Sequence, residues 1–185
     1  MNQVKLRNNV FIPMPVSLVG SIVNQKVNFM AVGWVTRANA NPPMIAVGIG
    51  RHHYTGNGII EKKEFSVCFP STELIKKTDY VGLVSGKDVD KSGVFTVFYG
   101  EQTGAPLIEE CPLNLECRLV DTVTLPTNHL FIGEIVGAYA QEKYVTGNVQ
   151  QMAEMNLFLL TMPDNTYWSF GEALGQAWKI GKELK

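Results

Sequence analysis

The sequence has few cysteines, and their arrangement argues against the usual cysteine-based architectures. The chain contains Cys68, Cys111 and Cys117. An odd number without a Cys-x-x-Cys pair indicates neither a disulfide framework nor a zinc knuckle. The first residues lack the apolar core that a signal peptide requires. We therefore expect a reducing, cytoplasmic environment.

The chain also lacks an excess of either charge. Sixteen Lys and Arg residues oppose 17 Asp and Glu residues, giving a formal net charge of −1 and a pI of about 6.3. This balance argues against nucleic acid as a partner, because nucleic-acid binding requires a basic surface. No apolar run approaches the ~18 residues of a membrane helix, so no membrane segment is expected. Charged residues make up only 18% of the chain and apolar residues 45%, which suggests that a partner or ligand covers some apolar surface.

Several common catalytic motifs are missing as well. There is no Gly-x-x-x-x-Gly-Lys-Ser/Thr loop for nucleotide phosphates and no Gly-x-Ser-x-Gly hydrolase elbow. Gly48-x-Gly50 begins like a dinucleotide fingerprint, but His53 stands at the third glycine position and no βαβ unit surrounds it. His52 and His53 should point in opposite directions on an extended segment, without a carboxylate or cysteine at ligand spacing. No metal site is therefore expected.

What the sequence does contain is alternation of apolar and polar residues, which predicts strands. The predicted strands are 17–24, 27–36, 44–50, 65–69, 94–99, 113–125 and 129–144, the last two forming a hairpin through 126–128, with a loop at 37–43. Helices are predicted at 55–63, with Thr55 as N-cap, at 71–84 and at 171–184. The fold class is therefore mainly β, a closed or nearly closed β-barrel with α-helices, in a single domain over residues 1–185.

Two of the predicted strands carry unusually small residues. Ala31 and Gly33 share one face of the first, and Ala46, Gly48 and Gly50 share one face of the second. If these strands are neighbours, the small residues form a flat shelf on which a planar ring could lie. The alternative is that they let a barrel taper or let another backbone approach closely.

The segment after the second of these strands has the residues of an anion site. Arg51 offers a fork of donors suited to phosphate oxygens. Thr55 adds a hydroxyl, and the amino terminus of the predicted helix adds backbone N–H groups. Gly56 and Gly58 add no bulk there. This turn predicts phosphate binding.

Nine stretches, taken in order, resemble the flavin reductase-like, FMN-binding split-barrel family, and within it the flavoredoxin group. They are residues 13–21, 28–34, 42–47, 51–55, 64–67, 85–91, 112–117, 129–136 and 171–175. Each stretch alone is weak, but together they cover nearly the whole chain. The resemblance implies a six-stranded antiparallel Greek-key split barrel that is homodimeric and binds one FMN per subunit near the dimer interface.

The resemblance also implies the site residues. The flavin ring would lie on strand 30–36, held largely by backbone groups, and the phosphate would lie at the 51–55 turn. The expected cofactor-binding residues are Asn28, Met30, Ala31, Gly33, Trp34, Val35, Thr36, Gly50, Arg51, His52, Thr55, Ser85 and Lys91. His129 falls where relatives place a histidine beside flavin and nicotinamide, so it is the catalytic candidate.

Some of these assignments have alternatives. Ser85 and Lys91 could belong to a solvated polar loop, and His129 could simply end a strand. Many relatives carry Thr or Ser where this chain has Ala31 and Gly33, so a side-chain hydrogen bond to the flavin is lost or replaced by backbone groups.

The function that the resemblance implies is FMN-dependent oxidoreduction, with flavoredoxin-like electron transfer from NADH or NADPH. A redox partner protein would then accept the electrons. One alternative is an NAD(P)H:flavin reductase that supplies reduced flavin to a partner oxygenase. Others are a non-catalytic flavin carrier and a structural dimeric barrel without ligand.

Overall fold

The computed structural model describes residues 1–184, and most of its regular structure is β-strand. The strands are β1 Met14–Pro15, β2 Ser17–Val23, β3 Lys26–Val32, β4 Val35–Asn39, β5 Met44–Gly50, β6 Glu64–Phe69, β7 Val97–Tyr99, β8 Pro106–Ile108, β9 Leu113–Thr124, β10 Asn128–Ala140, β11 Val145–Thr146, β12 Val149–Gln150, β13 Phe158–Thr161 and β14 Thr166–Ser169. The helices are α1 Tyr54–Lys62 and α2 Ile75–Leu83, and 3-10 turns cover Thr72–Leu74, Glu142–Tyr144 and Ile180–Leu184. No helix within the described residues is long and apolar enough to cross a membrane.

One large antiparallel sheet organises the fold, with strand order β3-β2-β6-β9-β10-β5-β4. Its two edge strands, β3 and β4, are consecutive in the chain and are joined only by Gly33 and Trp34. Because so short a link spans only about 10 Å, the sheet must curl until its edges meet. The result is a barrel that is open along one seam, as the split-barrel resemblance implies.

Two apolar clusters lie on opposite faces of the sheet. The barrel interior holds Val19, Val32, Val35, Ile45, Val47, Ile49, Ile59, Phe65, Val67, Cys117 and Phe131. The outer cluster includes Leu18, Phe29, Cys68, Leu74, Val81, Phe95, Leu107, Ile108 and Cys111.

The three cysteines are buried, and burial raises the pKa of the Cys68 thiol to about 12. These thiols are therefore poor nucleophiles at neutral pH.

A small sheet of order β1-β13-β14 lies beside the barrel. It joins distant parts of the chain, since Met14 pairs with Leu160, and the hairpin of β13 and β14 completes it through pairs such as Phe158 with Ser169. Tyr167 fixes this sheet to α2, because its hydroxyl donates to Asp79 Oδ1 at 2.9 Å. The segments before β1 and after β14 both leave from this sheet, and both are largely exposed.

The strand prediction is wrong at 27–36 and at the loop 37–43. The chain turns at Gly33 and Trp34, where the Val35 N–H donates to the Gly33 carbonyl, and β4 continues to Asn39. The large sheet consequently has seven strands rather than six. β3 and β5 are not paired, because β3 pairs only with β2 among the described strands, and β5 pairs with β4 and β10. The small residues predicted to form a shelf are therefore not side by side in one sheet, although Ala31, Gly33, Gly48 and Gly50 line one cavity.

Three helix predictions need correction. The N-cap of α1 is His53 rather than Thr55, which lies inside the first turn with its hydroxyl oxygen bonded to Asn28. Residues 71–84 divide into a 3-10 turn and the shorter α2. Residues 171–184 do not form the predicted helix, and only Ile180–Leu184 forms a 3-10 turn. Glycines in that segment lower its helix propensity, and its side chains are exposed where they are described, so no packed face stabilises a helix.

Candidate functional site

The open seam of the barrel forms a cavity of about 770 Å³, which we call the seam cavity. It is lined by Met30, Ala31, Val32, Gly33, Trp34, Gly48, Ile49, Gly50, Arg51, His52, His53, Pro126, Thr127 and Asn128. Since β3 is an edge strand, backbone groups on its outer edge lack a strand partner beside the cavity. Ala31 and Gly33 therefore line the same cavity as Gly48 and Gly50, although β3 and β5 do not pair with each other.

Gly48 and Gly50 let side chains approach the cavity wall closely. The Gly48 N–H donates to the Trp34 carbonyl at 2.8 Å, and a Cβ on Gly48 would lie 3.2 Å from the indole. A Cβ on Gly50 would lie 2.8 Å from the His53 ring and 3.0 Å from His52. The wall is therefore flat at Trp34, and two imidazoles pack against its end.

A second cavity, of about 440 Å³, lies beside the first, and we call it the polar cavity. It is lined by Asn28, Met30, Ala31, His52, His53, Tyr54, Thr55, Val81, Gly82, Leu83, Val84, Ser85, Gly86, Lys87 and Lys91. The two cavities share Met30, Ala31, His52 and His53. Together they form one groove with a flat, mainly apolar end and a polar end.

Two hydroxyls in the polar cavity are oriented as donors. Asn28 Nδ2 donates to Thr55 Oγ1 at 2.7 Å, and the Lys87 backbone N–H donates to Ser85 Oγ at 3.2 Å. Because each hydroxyl oxygen already accepts a hydrogen bond, its own proton is directed elsewhere. An acceptor-rich ligand would match both.

Lys91 is a buried cation at the floor of this cavity. Its ammonium group donates to the carbonyls of Val81 at 2.7 Å and Phe29 at 3.1 Å, which leaves one N–H for another acceptor. Burial lowers its pKa. The alternative that Lys91 belongs to a solvated loop is therefore wrong.

The electrostatics of the groove favour an anion. Among the described residues that line the two cavities there is no Asp or Glu. The amino terminus of α1 faces the polar cavity without a side-chain cap bond from His53. Burial, His52 and Lys91 together lower the pKa of His53, as expected where positive groups gather.

The two histidines do not point in opposite directions, which corrects the sequence-based interpretation. Their ring centroids are 4.2 Å apart, with planes inclined by 35°. In the part of the chain that the structure describes, no group of three or more His, Cys, Asp or Glu side chains is placed to hold a metal ion.

A third cavity, of about 1010 Å³, lies on the other side of Trp34, and we call it the apolar groove. Its walls are residues 9–15, 33–36, 46, 48 and 125–130. It contains His129, whose Nδ1 is 3.3 Å from Thr124 Oγ1, together with Val35 and Thr36. Trp34 and Gly48 line both this groove and the seam cavity.

The predicted site residues are thus distributed over three adjoining cavities. Arg51 lines the seam cavity with an exposed side chain, whereas Thr55, Ser85 and Lys91 line the polar cavity. His53 and Lys87 were missed. The presence of Lys87 in the same stretch as Ser85 and Lys91 was the available signal for Lys87. The position of His53 depends on its close packing against Gly50, which residue spacing does not show.

Comparison with known proteins places this geometry in context. A family model described as flavin reductase like domain matches residues 9–153. The flavoredoxin structure from Methanosarcina acetivorans is 55% identical, with a TM-score of 0.97 and 100% coverage of both chains. Flavoredoxin of Desulfovibrio vulgaris (Miyazaki F) is 28% identical, with a TM-score of 0.89 over 98% of this chain and 100% of that one. An uncharacterized protein of Archaeoglobus fulgidus is 36% identical over 114 residues, which are 60% of this chain and 64% of that protein, so the match spans less than two thirds of that relative.

Proposed function

The chain belongs to the flavin reductase like domain family, and from that premise we propose that it is an FMN-binding oxidoreductase that transfers electrons as flavoredoxins do. The observation that supports this proposal most directly is the groove with a flat, mainly apolar end and a polar end that is lined by no Asp or Glu among the described residues. FMN has the same division, with a planar ring at one end and a phosphate at the other.

The flat end fits the ring in shape and in hydrogen bonding. Backbone groups of Ala31 on the unpaired edge of β3, and the N–H of Gly33 just after it, would meet the polar edge of the ring. The Trp34 indole packed on Gly48 supplies a flat aromatic wall. This arrangement needs no side-chain donor at positions 31 and 33, where Ala and Gly replace the Thr or Ser of many relatives.

The polar end fits the phosphate in charge and in donors. The Thr55 and Ser85 hydroxyls, the third N–H of Lys91 and the amino terminus of α1 would converge on an acceptor-only group. Each hydrogen bond to a charged group contributes about 1.5–3 kcal/mol. Arg51 would approach from the seam cavity, and His52 lies between the two ends.

Bound FMN would supply the hydride and single-electron chemistry. The chain would orient the ring on β3, exclude water through Trp34 and the apolar groove, and offer the His129 imidazole beside the ring site. We propose that NADH or NADPH is the donor and that His129 positions it. A redox partner protein would be the acceptor.

The test begins with the absorbance spectrum of the purified protein and the mass of any released flavin. Anaerobic mixing with NADH or NADPH in a stopped-flow instrument should bleach the flavin absorbance. A preparation that neither contains nor takes up FMN would overturn the proposal. Flavin that is retained but never bleached would indicate a carrier, and flavin lost on gel filtration yet reduced in solution would indicate a reductase serving an oxygenase.

We further propose a homodimeric protein of one domain that works in the cytoplasm. The free thiols of Cys68, Cys111 and Cys117 agree with a reducing compartment. Exposed apolar side chains on Trp34, Leu125 and the terminal segments agree with a subunit interface.

A further inference from the structure

Residues 170–184, which we call the C-terminal arm, carry large apolar side chains that are exposed. Leu174 is 92% exposed, Trp178 is 93% exposed and Leu184 is 93% exposed. Side chains of this size are rarely left in water without a binding role when they occur together. The arm therefore lacks the surface that would cover it.

The arm nevertheless has a defined conformation. The N–H groups of Lys179 and Ile180 both donate to the Gln176 carbonyl, at 3.2 and 3.1 Å, and Ile180 packs on Gly175. Trp178 has φ +60°, a conformation that bulky residues adopt only where their surroundings impose it. Trp178 lies within this turn, and its side chain is almost fully exposed within the chain.

The apolar groove matches the C-terminal arm, because it is also an apolar surface that is exposed to solvent. It has a volume of about 1010 Å³ and is lined by no Asp, Glu, Lys or Arg among the described residues. Trp34 and Leu125 at its walls are 49% and 45% exposed. Residues 173–178 of the arm carry no charge either, so the two surfaces match in charge as well as in polarity.

We propose that the C-terminal arm of one copy of this chain lies in the apolar groove of a second copy. Each copy has one arm and one groove, so a two-fold arrangement satisfies both sets of surfaces and closes the assembly. A stable interface needs about 800 Å² from each partner. Burial of Trp178 removes about 150–250 Å² from water, and Leu174, Leu184 and the covered groove account for the remaining area at similar values per side chain.

In this arrangement both chains of the dimer contribute to the functional site. The apolar groove holds His129 and shares Trp34 and Gly48 with the seam cavity. A partner's arm in the groove would therefore cover the site on the His129 side. This inference rests on the homodimer proposed above, but it does not depend on the identity of the cofactor.

Spin labels on separate chains test the exchange of arms. One chain carries Lys179→Cys beside Trp178, and the other carries Leu125→Cys at the groove. The native thiols are buried, so the label should react with the introduced cysteines. Different affinity tags on the two co-expressed chains, with purification through both, yield only mixed dimers.

Strong dipolar broadening in the mixed dimers is the expected result. A chain carrying both labels, diluted into excess unlabelled chain, should show little broadening, because the arm leaves its own groove. Broadening only in the doubly labelled chain, no broadening in either sample, or no recovery of mixed dimers would each overturn the proposal.

Substitution of Trp178 provides an independent measurement. Trp178→Asn keeps a residue that tolerates positive φ while removing the apolar side chain. The dimer dissociation constant from sedimentation should rise on the order of a hundredfold or more, since each dimer loses two central aromatic contacts. Val149→Asn is the matched control, because Val149 is 62% exposed, lies outside the arm and lines none of the three cavities. Equal dissociation constants for the two variants would contradict the proposal.

Discussion

Thr55 is the residue whose chemistry distinguishes the two ends of the groove. Its hydroxyl oxygen accepts from Asn28, and its proton is left to donate to a ligand. Thr55→Val removes that donor at nearly constant shape, and FMN affinity should fall roughly ten- to hundredfold while riboflavin affinity changes little. Fluorescence titration of both flavins at one ionic strength measures the difference.

Two further variants complete that experiment. Thr78→Val is the matched control, since the buried Thr78 hydroxyl has no partner within the described residues and should affect neither flavin. Arg51→Ala tests the phosphate role predicted for Arg51, which lines the seam cavity. A parallel loss of both flavins in Arg51→Ala would remove Arg51 from the phosphate site and leave it beside the ring.

His129 offers a test of positioning. The side chain lies in the apolar groove, which shares a wall with the seam cavity. His129→Ala should therefore slow flavin reduction by the nicotinamide more than it weakens FMN retention. Stopped-flow rates and equilibrium dialysis separate the two effects, and unchanged reduction rates would make His129 an ordinary strand-end residue.

Glu116 illustrates a buried charge with a structural role. Burial alone would raise its pKa, but hydrogen bonds from Tyr139, Thr103 and Gln102 more than offset this and hold the pKa below its usual value. A lowered carboxyl pKa contributes stability that is present above the unfolded pKa and is lost as pH falls through the folded value.

Glu116→Gln should therefore destabilise the protein at pH 7 by about 1.5–3 kcal/mol. The difference from wild type should shrink as the pH falls below the ordinary carboxyl range. Urea unfolding at several pH values measures both effects. Glu64→Gln is the control, because Glu64 accepts one exposed bond from the Gly104 N–H and its loss should cost much less. A pH-independent difference would contradict the electrostatic explanation.

At the scale of the element, α1 shows how two glycines in one helix can differ. A Cβ on Gly58 would lie 2.6 Å from the Ile22 carbonyl oxygen, whereas a Cβ on Gly56 would lie 3.7 Å from the nearest atom of Phe131. Gly58→Ala should thus destabilise the protein by about 1–3 kcal/mol through overpacking against β2. Gly56→Ala should stabilise it by up to about 1 kcal/mol through helix propensity. Thermal or urea unfolding of both variants checks the opposite signs, and equal signs would show that α1 shifts to accommodate either methyl group.

Elements that depend on local pattern were predictable from the sequence, and elements that depend on distant partners were not. β2, β5, β6 and the β9–β10 hairpin follow from alternation and turn residues, which act over short separations. β1 could not be found, because it exists only through pairing of Met14 with Leu160. The same holds for the break at Gly33 and Trp34, which depends on how the sheet curls.

The candidate site divides in the same way. The Arg51–Thr55 turn is readable as an anion site because its residue types are adjacent in the chain. The Asn28–Thr55 hydrogen bond spans 27 positions, and the resemblance to a family, rather than residue spacing, supplied Ser85 and Lys91. The histidine pair was misjudged because its stacking depends on the close packing against Gly50.

At the scale of the whole molecule, the two apolar clusters share the same strands. Val19 faces the barrel interior while Leu18 faces the outer cluster, and Val67 and Cys68 divide in the same way along β6. Neither cluster can lose its packing without distorting a strand that the other requires. We therefore expect residues 14–169 to unfold as one cooperative unit, in agreement with a single domain.

Calorimetry checks this expectation. The van't Hoff and calorimetric enthalpies should agree once dimer dissociation is included, and far-UV and near-UV circular dichroism should change together. Two separated transitions, or a near-UV change that precedes the far-UV change, would show that the outer cluster melts on its own.

The unpaired edge of β3 also affects how readily the newly synthesised chain aggregates. An open strand edge is a template on which another chain can add a strand, and aggregation starts at such edges. The Lys91 ammonium group donates to the Phe29 carbonyl, but the outward backbone groups at 30–32 remain available to a ligand in the seam cavity. A flavin bound there would block the pairing of this edge with a strand of another chain. Cells that make the chain faster than they supply flavin should therefore accumulate more of it in inclusion bodies, and riboflavin in the growth medium should shift the yield toward the soluble fraction.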